Sequence, residues 1–172
     1  RGVARRGETR GLGPVRGGGG TVRGEMAVMA VAGRIQVVNS IGLGDWVCWT
    51  VGGVMSSRWP SDVVRAQAVT ARTYVLHGAG RRRSVSSDTA ATEMSQVYRG
   101  VDAETKETRS ATRATAGQVS TLKGTPILAG FPATAGGRTA PAGAGWGEEP
   151  QDLHGVEGED EDVDAPTHLR DG

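Results

Sequence analysis

The sequence predicts one α+β domain in which a central amphipathic helix packs on β-strands and a β-hairpin, with a disordered tail on each side. Three stretches predict it: a strand-like pattern at residues 34–39, a helical pattern at residues 60–78, and two short segments around a turn at residues 118–131. A strand, a helix and a hairpin in this order favour α+β over a regularly alternating α/β fold. We place the domain at residues 25–147.

The two ends of the chain carry opposite charges. Residues 1–24 are rich in arginine and glycine, and residues 148–172 are rich in aspartate and glutamate, so the whole 172-residue chain has a formal net charge of only +1. Neither end has enough apolar side chains to offset the entropy lost on ordering. We therefore expect a disordered lead-in and a disordered acidic tail. The lead-in lacks the aromatic residues that stack on bases, so no nucleic-acid partner is expected.

The first element of the domain is a predicted strand at residues 34–39, where β-branched residues partly alternate with polar ones. Gly42, Gly44 and Asp45 then indicate a turn. The apolar stretch that follows ends at the pair Gly52-Gly53, because adjacent glycines are typical of a break.

Residues 60–78 carry the clearest helical pattern. Pro60 suits the first turn of a helix, Ser61 can cap its free N–H groups, and Gly78 is placed to end it. Apolar residues recur at helical spacing and form one face. These residues are Val64, Ala68, Ala71 and Val75. Small side chains would let another element approach closely at Ala66, Ala68 and Ala71.

Two shorter elements follow in the second half of the domain. Residues 104–116 predict a short helix that Gly117 ends, although several threonines lower its helix propensity. Residues 118–122 and 126–131 flank the turn sequence Lys-Gly-Thr and predict a β-hairpin.

Composition argues against several kinds of site and segment. Cys48 is the single cysteine, so the chain can form neither an internal disulfide nor a cysteine-rich zinc site. No apolar run reaches the roughly 20 residues that span a bilayer, so we expect no transmembrane segment. Residues 26–32 are apolar, but the stretch is short and its flanks do not make a signal peptide.

Six short motifs occur along the domain in a fixed order. They are VVN with GDWV at residues 37–47, VMSSRWP at 54–60, RAQAVTARTY at 65–74, DTA with SQVYRG at 88–100, ATAGQV at 114–119 and FPATAGGRT at 131–139. Each resembles the motif at the corresponding place in the SpoIID/LytB family of cell-wall proteins. One such motif is weak evidence, but six in order make the resemblance specific.

The resemblance implies an exported protein of the cell envelope that acts on peptidoglycan glycan strands and needs no cofactor. Sporulation members of the family resemble lytic transglycosylases, and LytB members are associated with enhancing cell-wall amidases. Transglycosylase chemistry uses one glutamate twice. The acid protonates the glycosidic oxygen, and the resulting carboxylate then accepts the proton of the 6-hydroxyl of N-acetylmuramic acid.

Val54 stands where the family has this glutamate, and an isopropyl group has no proton to transfer. We therefore predict no catalytic residue and an impaired cleavage reaction. Asp45 and Asp62 lie nearby, but a turn and a helix start explain them better. A second motif also differs from the family's pattern, because Pro132 and Ala133 stand where the family has a histidine and a serine. Metal binding through this motif is therefore not expected.

Other motif positions can still bind sugar hydroxyls, acetamido groups or peptide carboxylates. The candidate substrate-binding residues are Gln67, Arg72, Gln96, Tyr98, Thr134, Gly136, Gly137, Arg138 and Thr139. Each also has a structural explanation. Arg72, for example, can pack its stem on the core, and the two glycines can form a turn with positive φ. Taken singly the residues favour the structural explanation, whereas the group leaves both open.

Three functional hypotheses follow. The first is a peptidoglycan-directed domain related to lytic transglycosylases and impaired in cleavage. The second is a non-catalytic wall-binding module that modulates a cell-wall amidase. The third is a degraded chain without a stable function, which predicts that residues 33–146 show no cooperative unfolding.

Overall fold

The structure is a computed structural model, and it describes residues 7–9, 15–17, 20–31, 33–79, 99–130 and 156–157. The α+β class is confirmed. In chain order the elements are β1 (Gly7–Thr9), β2 (Val15–Gly17), β3 (Gly20–Val22), β4 (Glu25–Val31), β5 (Arg34–Ser40), α1 (Leu43–Val54), α2 (Ser61–Gly78), a 3₁₀ helix (Gly100–Ala103), α3 (Lys106–Ala114), β6 (Thr121–Leu122) and β7 (Thr125–Pro126).

The main sheet confirms the strand predicted at residues 34–39. β4 and β5 form an antiparallel pair in which Val28 lies opposite Val37, and β1 pairs with the other edge of β4. Gly33 supplies the positive φ, +77°, in the turn between β4 and β5. β4 itself covers most of the short apolar stretch to which the sequence assigned no element.

Helix α1 is where the sequence prediction was wrong. The turn predicted around Gly42, Gly44 and Asp45 is the start of the helix, and the pair Gly52-Gly53 lies inside it instead of breaking it. All six residues from 46 to 51 are buried, so α1 is surrounded by other elements on every side. Their burial outweighs the cost of about 1 kcal/mol for each helical glycine.

Gly52 also has a packing role. A Cβ built on Gly52 would overlap the carbonyl oxygen of Ala103 and would lie 2.9 Å from its carbonyl carbon. The missing side chain therefore lets α1 contact the 3₁₀ helix directly.

Helix α2 confirms the helix predicted over residues 60–78. Its predicted apolar face is buried in a core that α1, α2 and α3 share. Two details differ. Ala66 is exposed, so only Ala68 and Ala71 lie at a close approach. Ser61 does not cap the helix, because Pro60 occupies the N-cap position and Ser61 is already the first helical residue.

Helix α3 lies within the predicted range, and its threonines support it. Thr105 and Thr108 form a capping box: the hydroxyl of Thr105 accepts the N–H of Thr108 at 3.1 Å, and the hydroxyl of Thr108 accepts the N–H of Thr105 at 3.0 Å. Gly117, with a φ of +75°, follows the helix as predicted. Threonine at a helix start therefore compensates for its poor propensity inside one.

The predicted hairpin is present but short, since β6 and β7 have two residues each. Lys123 and Gly124 connect them with φ angles of +51° and +81°. Two left-handed residues in succession are what the tightest hairpin turns require.

The segment predicted to be a disordered lead-in contains β1, β2 and β3, and its last residues contact the domain. The N–H of Thr21 donates to the carboxylate of Asp102 at 3.3 Å, and Arg23 forms an ion pair with Glu104 at 2.8 Å. These polar contacts and the half-buried side chain of Val22, which lies beside Gly100, hold residues 20–24 against the domain. Of the predicted acidic tail, only residues 156–157 belong to the described part of the chain.

Candidate functional site

Val54 is the last residue of α1 and is half-buried. Residues 55–60 then connect α1 to α2, and the N–H of Met55 closes the helix with a bond to Val51. The motif that the resemblance identified as catalytic is therefore a helix end followed by a short loop. Val54, which the motif resemblance places at the expected glutamate position, has an aliphatic side chain.

This loop forms one wall of a groove of about 330 Å³. The starts of α2 and α3 form the other walls. The groove is lined by Ser57, Trp59, Ser61, Val64, Arg65, Lys106, Glu107, Ser110 and Ala111. An aromatic ring, an apolar floor and a few polar groups are the usual composition of a small-molecule or carbohydrate site.

Trp59 is the most conspicuous apolar side chain of the groove, because it is 51% exposed in a chain with few aromatic residues. Its backbone N–H donates to the carbonyl of Ser56 at 3.3 Å, which holds the loop in a turn. An exposed indole beside this groove offers a flat apolar surface on which a ring can stack.

The charged side chains of the groove are only loosely held. Arg65 pairs with Asp62 at 3.1 Å, but 48% and 88% of the two side chains are exposed, so solvent screens the pair. Glu107 accepts hydrogen bonds from its own backbone N–H and from the hydroxyl of Thr105. These bonds, with the charge of Lys106, hold the pKa of Glu107 below its ordinary value. Glu107 is therefore a carboxylate at neutral pH, an acceptor and not a proton donor.

Glu104 serves a structural purpose. Its carboxylate accepts from Arg23 at 2.8 Å and from the indole N–H of Trp49 at 2.9 Å, and it also pairs with Arg109. The guanidinium of Arg23 lies 5.9 Å from the centre of the Trp49 ring. One acid thus connects the segment before β4 with α1 and α3.

Arg72, a predicted substrate-binding residue, lies in the core with 4% exposure. Its guanidinium donates to the carbonyls of Gln118 at 2.9 Å and Thr112 at 3.3 Å, and to the hydroxyl of Thr115 at 3.4 Å. Burial lowers its pKa from the ordinary value, yet an arginine stays protonated in proteins. A cation at the carboxyl end of α3 is favourable, and these contacts support the structural explanation of Arg72.

Gln67 is the other predicted binding residue that the structure describes. It is half-buried on α2, and its buried Nε2 has no hydrogen-bond partner among the described residues. The remaining candidates lie outside the described residues: Gln96, Tyr98, Thr134, Gly136, Gly137, Arg138 and Thr139. Of the predicted binding residues the structure therefore describes only Gln67 and Arg72, and substrate binding by the group stays a prediction.

Sequence reasoning missed the residues that line the groove. Trp59 lay inside a recognised motif but was not singled out, although a tryptophan directly before a helix-starting proline is a usable signal. Lys106 and Glu107 lie more than forty positions further along, and only their place after the Thr105 cap could have marked them.

Two negative findings concern the described residues alone. No group of three or more His, Cys, Asp or Glu side chains among them can hold a metal ion. None of their helices combines the length and the apolar character needed to cross a membrane.

Cys48 is buried in α1, where its sulfur lies 3.4 Å from the hydroxyl of Thr108.

Comparison with known proteins agrees with the motifs. The family model SpoIID, described as stage II sporulation protein, matches residues 31–122, more than half of the chain. This range includes the three α-helices and every residue that lines the groove. An uncharacterised protein of Brachyspira hyodysenteriae is 33% identical over 104 residues, which are 60% of this chain and 28% of that protein. The chain belongs to the SpoIID family, which is related to sporulation and the cell wall.

Proposed function

We propose that this domain binds peptidoglycan in the cell envelope and has lost the glycan cleavage of lytic transglycosylases. The observation that carries the proposal is Val54, an aliphatic residue at the end of α1 and directly before the loop that forms the groove. A transglycosylase needs a protonated acid within hydrogen-bond reach of the glycosidic oxygen. Valine provides neither a proton nor an acceptor.

The nearby carboxylates do not fit the missing role. Asp62 is exposed and pairs with Arg65, and Glu104 is engaged by three donors. Glu107 lines the groove, but its lowered pKa keeps it ionised. Asp45 lies in the first turn of α1, where a carboxylate stabilises the helix dipole.

The groove itself supports retained binding. It keeps an exposed tryptophan, three serine hydroxyls, two cations and a carboxylate on a partly apolar floor. Such a set can stack a sugar ring and hydrogen-bond its hydroxyl and acetamido groups. An extracytoplasmic location follows from this substrate and from the family resemblance.

The test compares the unaltered protein with Val54→Glu and Val54→Gln. We expect all three to sediment with purified peptidoglycan. Only Val54→Glu should release glycan fragments with 1,6-anhydro ends, because glutamine has the same length but no proton to give. Release of such fragments by the unaltered protein would contradict the proposal, as would a failure to sediment. Absence of cleavage by Val54→Glu would contradict the inference that Val54 alone accounts for the lost reaction.

A second candidate function is modulation of a cell-wall amidase. It is favoured by the lining of the groove, since an exposed tryptophan and three serine hydroxyls can position peptidoglycan for another enzyme without a proton-donating acid. The unaltered protein should then increase the rate at which an amidase releases stem peptides. Arg65→Gln and Trp59→Ala, which alter the groove, should reduce the increase. An amidase rate that is the same with and without the protein would contradict this role.

A further inference from the structure

We propose that the acidic segment at residues 159–164 of this chain docks on the basic side chains around the groove and so restricts access to it. The segment carries five carboxylates in six residues, which are Glu159, Asp160, Glu161, Asp162 and Asp164. The docking is argued from charge and spacing alone. Its regulatory consequence rests on the proposed function, because the docked segment would oppose the binding of peptidoglycan in the same place.

The surroundings of the groove carry an excess of positive charge. Four exposed basic side chains come from the loop before α2, from α2 and from α3, and they are Arg58, Arg65, Lys106 and Arg113. The acids beside them are Asp62, which pairs with Arg65, and Glu107, which lines the groove. Arg109 is not counted, because Glu104 neutralises it. Four cations against two carboxylates attract an acidic segment.

These cations are available for new partners. Within the described part of the chain, no ion pair engages Arg58, Lys106 or Arg113. Arg65 pairs with Asp62 at 3.1 Å, but both side chains are largely exposed, and such a pair contributes little in water. A carboxylate that binds here therefore displaces no strong contact.

The spacing of the cations fits an extended acidic chain. Lys106 and Arg113 lie on one line of α3, and the rise of the helix places them about 10 Å apart along its axis. An extended chain advances about 3.4 Å per residue, so residues 159–164 would span about 17 Å. Since nearly every residue of the segment is acidic, a carboxylate can reach each cation in any register. The docking therefore depends on charge density and on no single side chain of the segment.

The chain is long enough to make this contact within one molecule. Residues 131–158 connect Gly130 to the acidic segment, and a chain of this length can span up to about 90 Å. That limit exceeds the diameter of a domain of this size. A segment tethered to its own binding surface acts at a high local concentration, so several weak pairs can hold it together. Salt should weaken all of them.

Carbodiimide crosslinking of the unaltered full chain tests the docking, because this reagent joins an ammonium group to a carboxylate only where the two touch. The chain has two lysines, both exposed: Lys106 at the groove and Lys123 in the hairpin turn. Mass spectrometry of tryptic peptides should find residues 159–164 linked to Lys106 about tenfold more often than to Lys123 at low salt. About 0.5 M NaCl should remove most of this preference, since the screening length then falls below about 5 Å.

The control variants keep both lysines. The double variant Arg65→Gln, Arg113→Gln removes two of the four cations and should reduce the links to Lys106. Arg34→Gln removes an exposed arginine of β5 outside the groove and should leave these links unchanged. When isotopically labelled and unlabelled chains are mixed before the reaction, linked peptides should come from one chain and not from two. Thermal unfolding checks that each variant is folded.

A full-length variant with all five acids of the segment replaced by glutamine or asparagine tests the consequence. It should sediment with purified peptidoglycan at lower concentrations of the polymer than the unaltered protein does at low salt. The difference between the two proteins should disappear at high salt, where the docked segment is released.

Equal linkage of the two lysines, no linkage of either, or links mainly between different chains would overturn the docking, whatever the protein does with peptidoglycan. Links to Lys106 that persist at full yield in the double variant would overturn the assignment to these cations. Preferred linkage to Lys106 with equal sedimentation of both proteins would overturn the restriction of access. Failure of both proteins to sediment would instead contradict the proposed function, and the crosslinks would still decide the docking.

Discussion

Replacing Gly52 by alanine should destabilise the domain, although alanine is the better helix former. A Cβ at this position would overlap the carbonyl oxygen of Ala103, so α1 and the 3₁₀ helix would have to separate. Backbone atoms cannot rotate aside, and such overpacking costs about 2–3 kcal/mol. Replacing a helical glycine by alanine stabilises the helix by about 1 kcal/mol. The separation would also strain the bond between Glu104, next to Ala103, and Trp49.

The net change expected for Gly52→Ala is therefore about 1–2 kcal/mol of lost stability, or a melting temperature lower by roughly 5–15 °C for a domain of this size. Urea unfolding followed by tryptophan fluorescence measures it, since Trp49 is fully buried in the same helix.

Gly44 provides the matched control, because it lies in the first turn of the same helix with nothing within 4 Å of a built Cβ. Gly44→Ala should raise stability by about 0.5–1 kcal/mol. If Gly52→Ala were as stable as the unaltered protein, the close packing of α1 on the 3₁₀ helix would be refuted.

Two further predictions concern charged side chains. Arg72→Met should lower the free energy of unfolding in urea by about 2–4 kcal/mol, because it leaves buried oxygens at the end of α3 without their donor. The control Arg65→Met changes an exposed residue of the same helix and should lower it by less than about 0.5 kcal/mol. Equal losses in the two variants would refute the buried network. Glu107 has a lowered pKa in the folded state, so its contribution is present above the unfolded pKa and is lost as pH falls through the folded one. The melting temperature of Glu107→Gln should therefore fall less than that of the unaltered protein as the pH is lowered from neutral to acidic. Parallel plots of melting temperature against pH for the two proteins would contradict the reasoning.

Elements with local signals could be predicted from the sequence. Helix α2 has a proline at its start, a glycine at its end and four apolar residues at helical spacing, so no distant contact was needed to recognise it. The hairpin turn likewise follows from Lys123-Gly124 alone. Both were confirmed because the local preference and the packed structure agree.

Helix α1 could not be predicted in this way. A short apolar run such as residues 46–51 fits a buried strand as well as a buried helix, and the glycines after it favour a break. The choice depends on burial by α2, α3 and the 3₁₀ helix, which local sequence does not show.

Some residues of the candidate site could likewise be recognised from local sequence, whereas others depend on how the helices pack. Val54 was singled out through a contiguous motif and its catalytic position stays a prediction, whereas Ser57 and Trp59 of the loop after it do line the groove. Lys106 and Glu107 join the groove only because α3 packs beside α2. Arg72 was ambiguous in the sequence, since the same guanidinium can bind a ligand or satisfy carbonyl groups. Only its position within the fold showed where its hydrogen bonds go.

The contacts of Thr21 and Arg23 affect how the domain should be produced for experiments. A recombinant fragment that begins at residue 25 would match the domain boundary read from the sequence, yet it would remove one of the three donors to Glu104 and the strand that packs against the 3₁₀ helix. Gly100 faces this strand so closely that a Cβ there would overlap the carbonyl of Thr21. A fragment that begins at or before residue 20 keeps these neighbours and is the appropriate starting point for the binding and unfolding measurements.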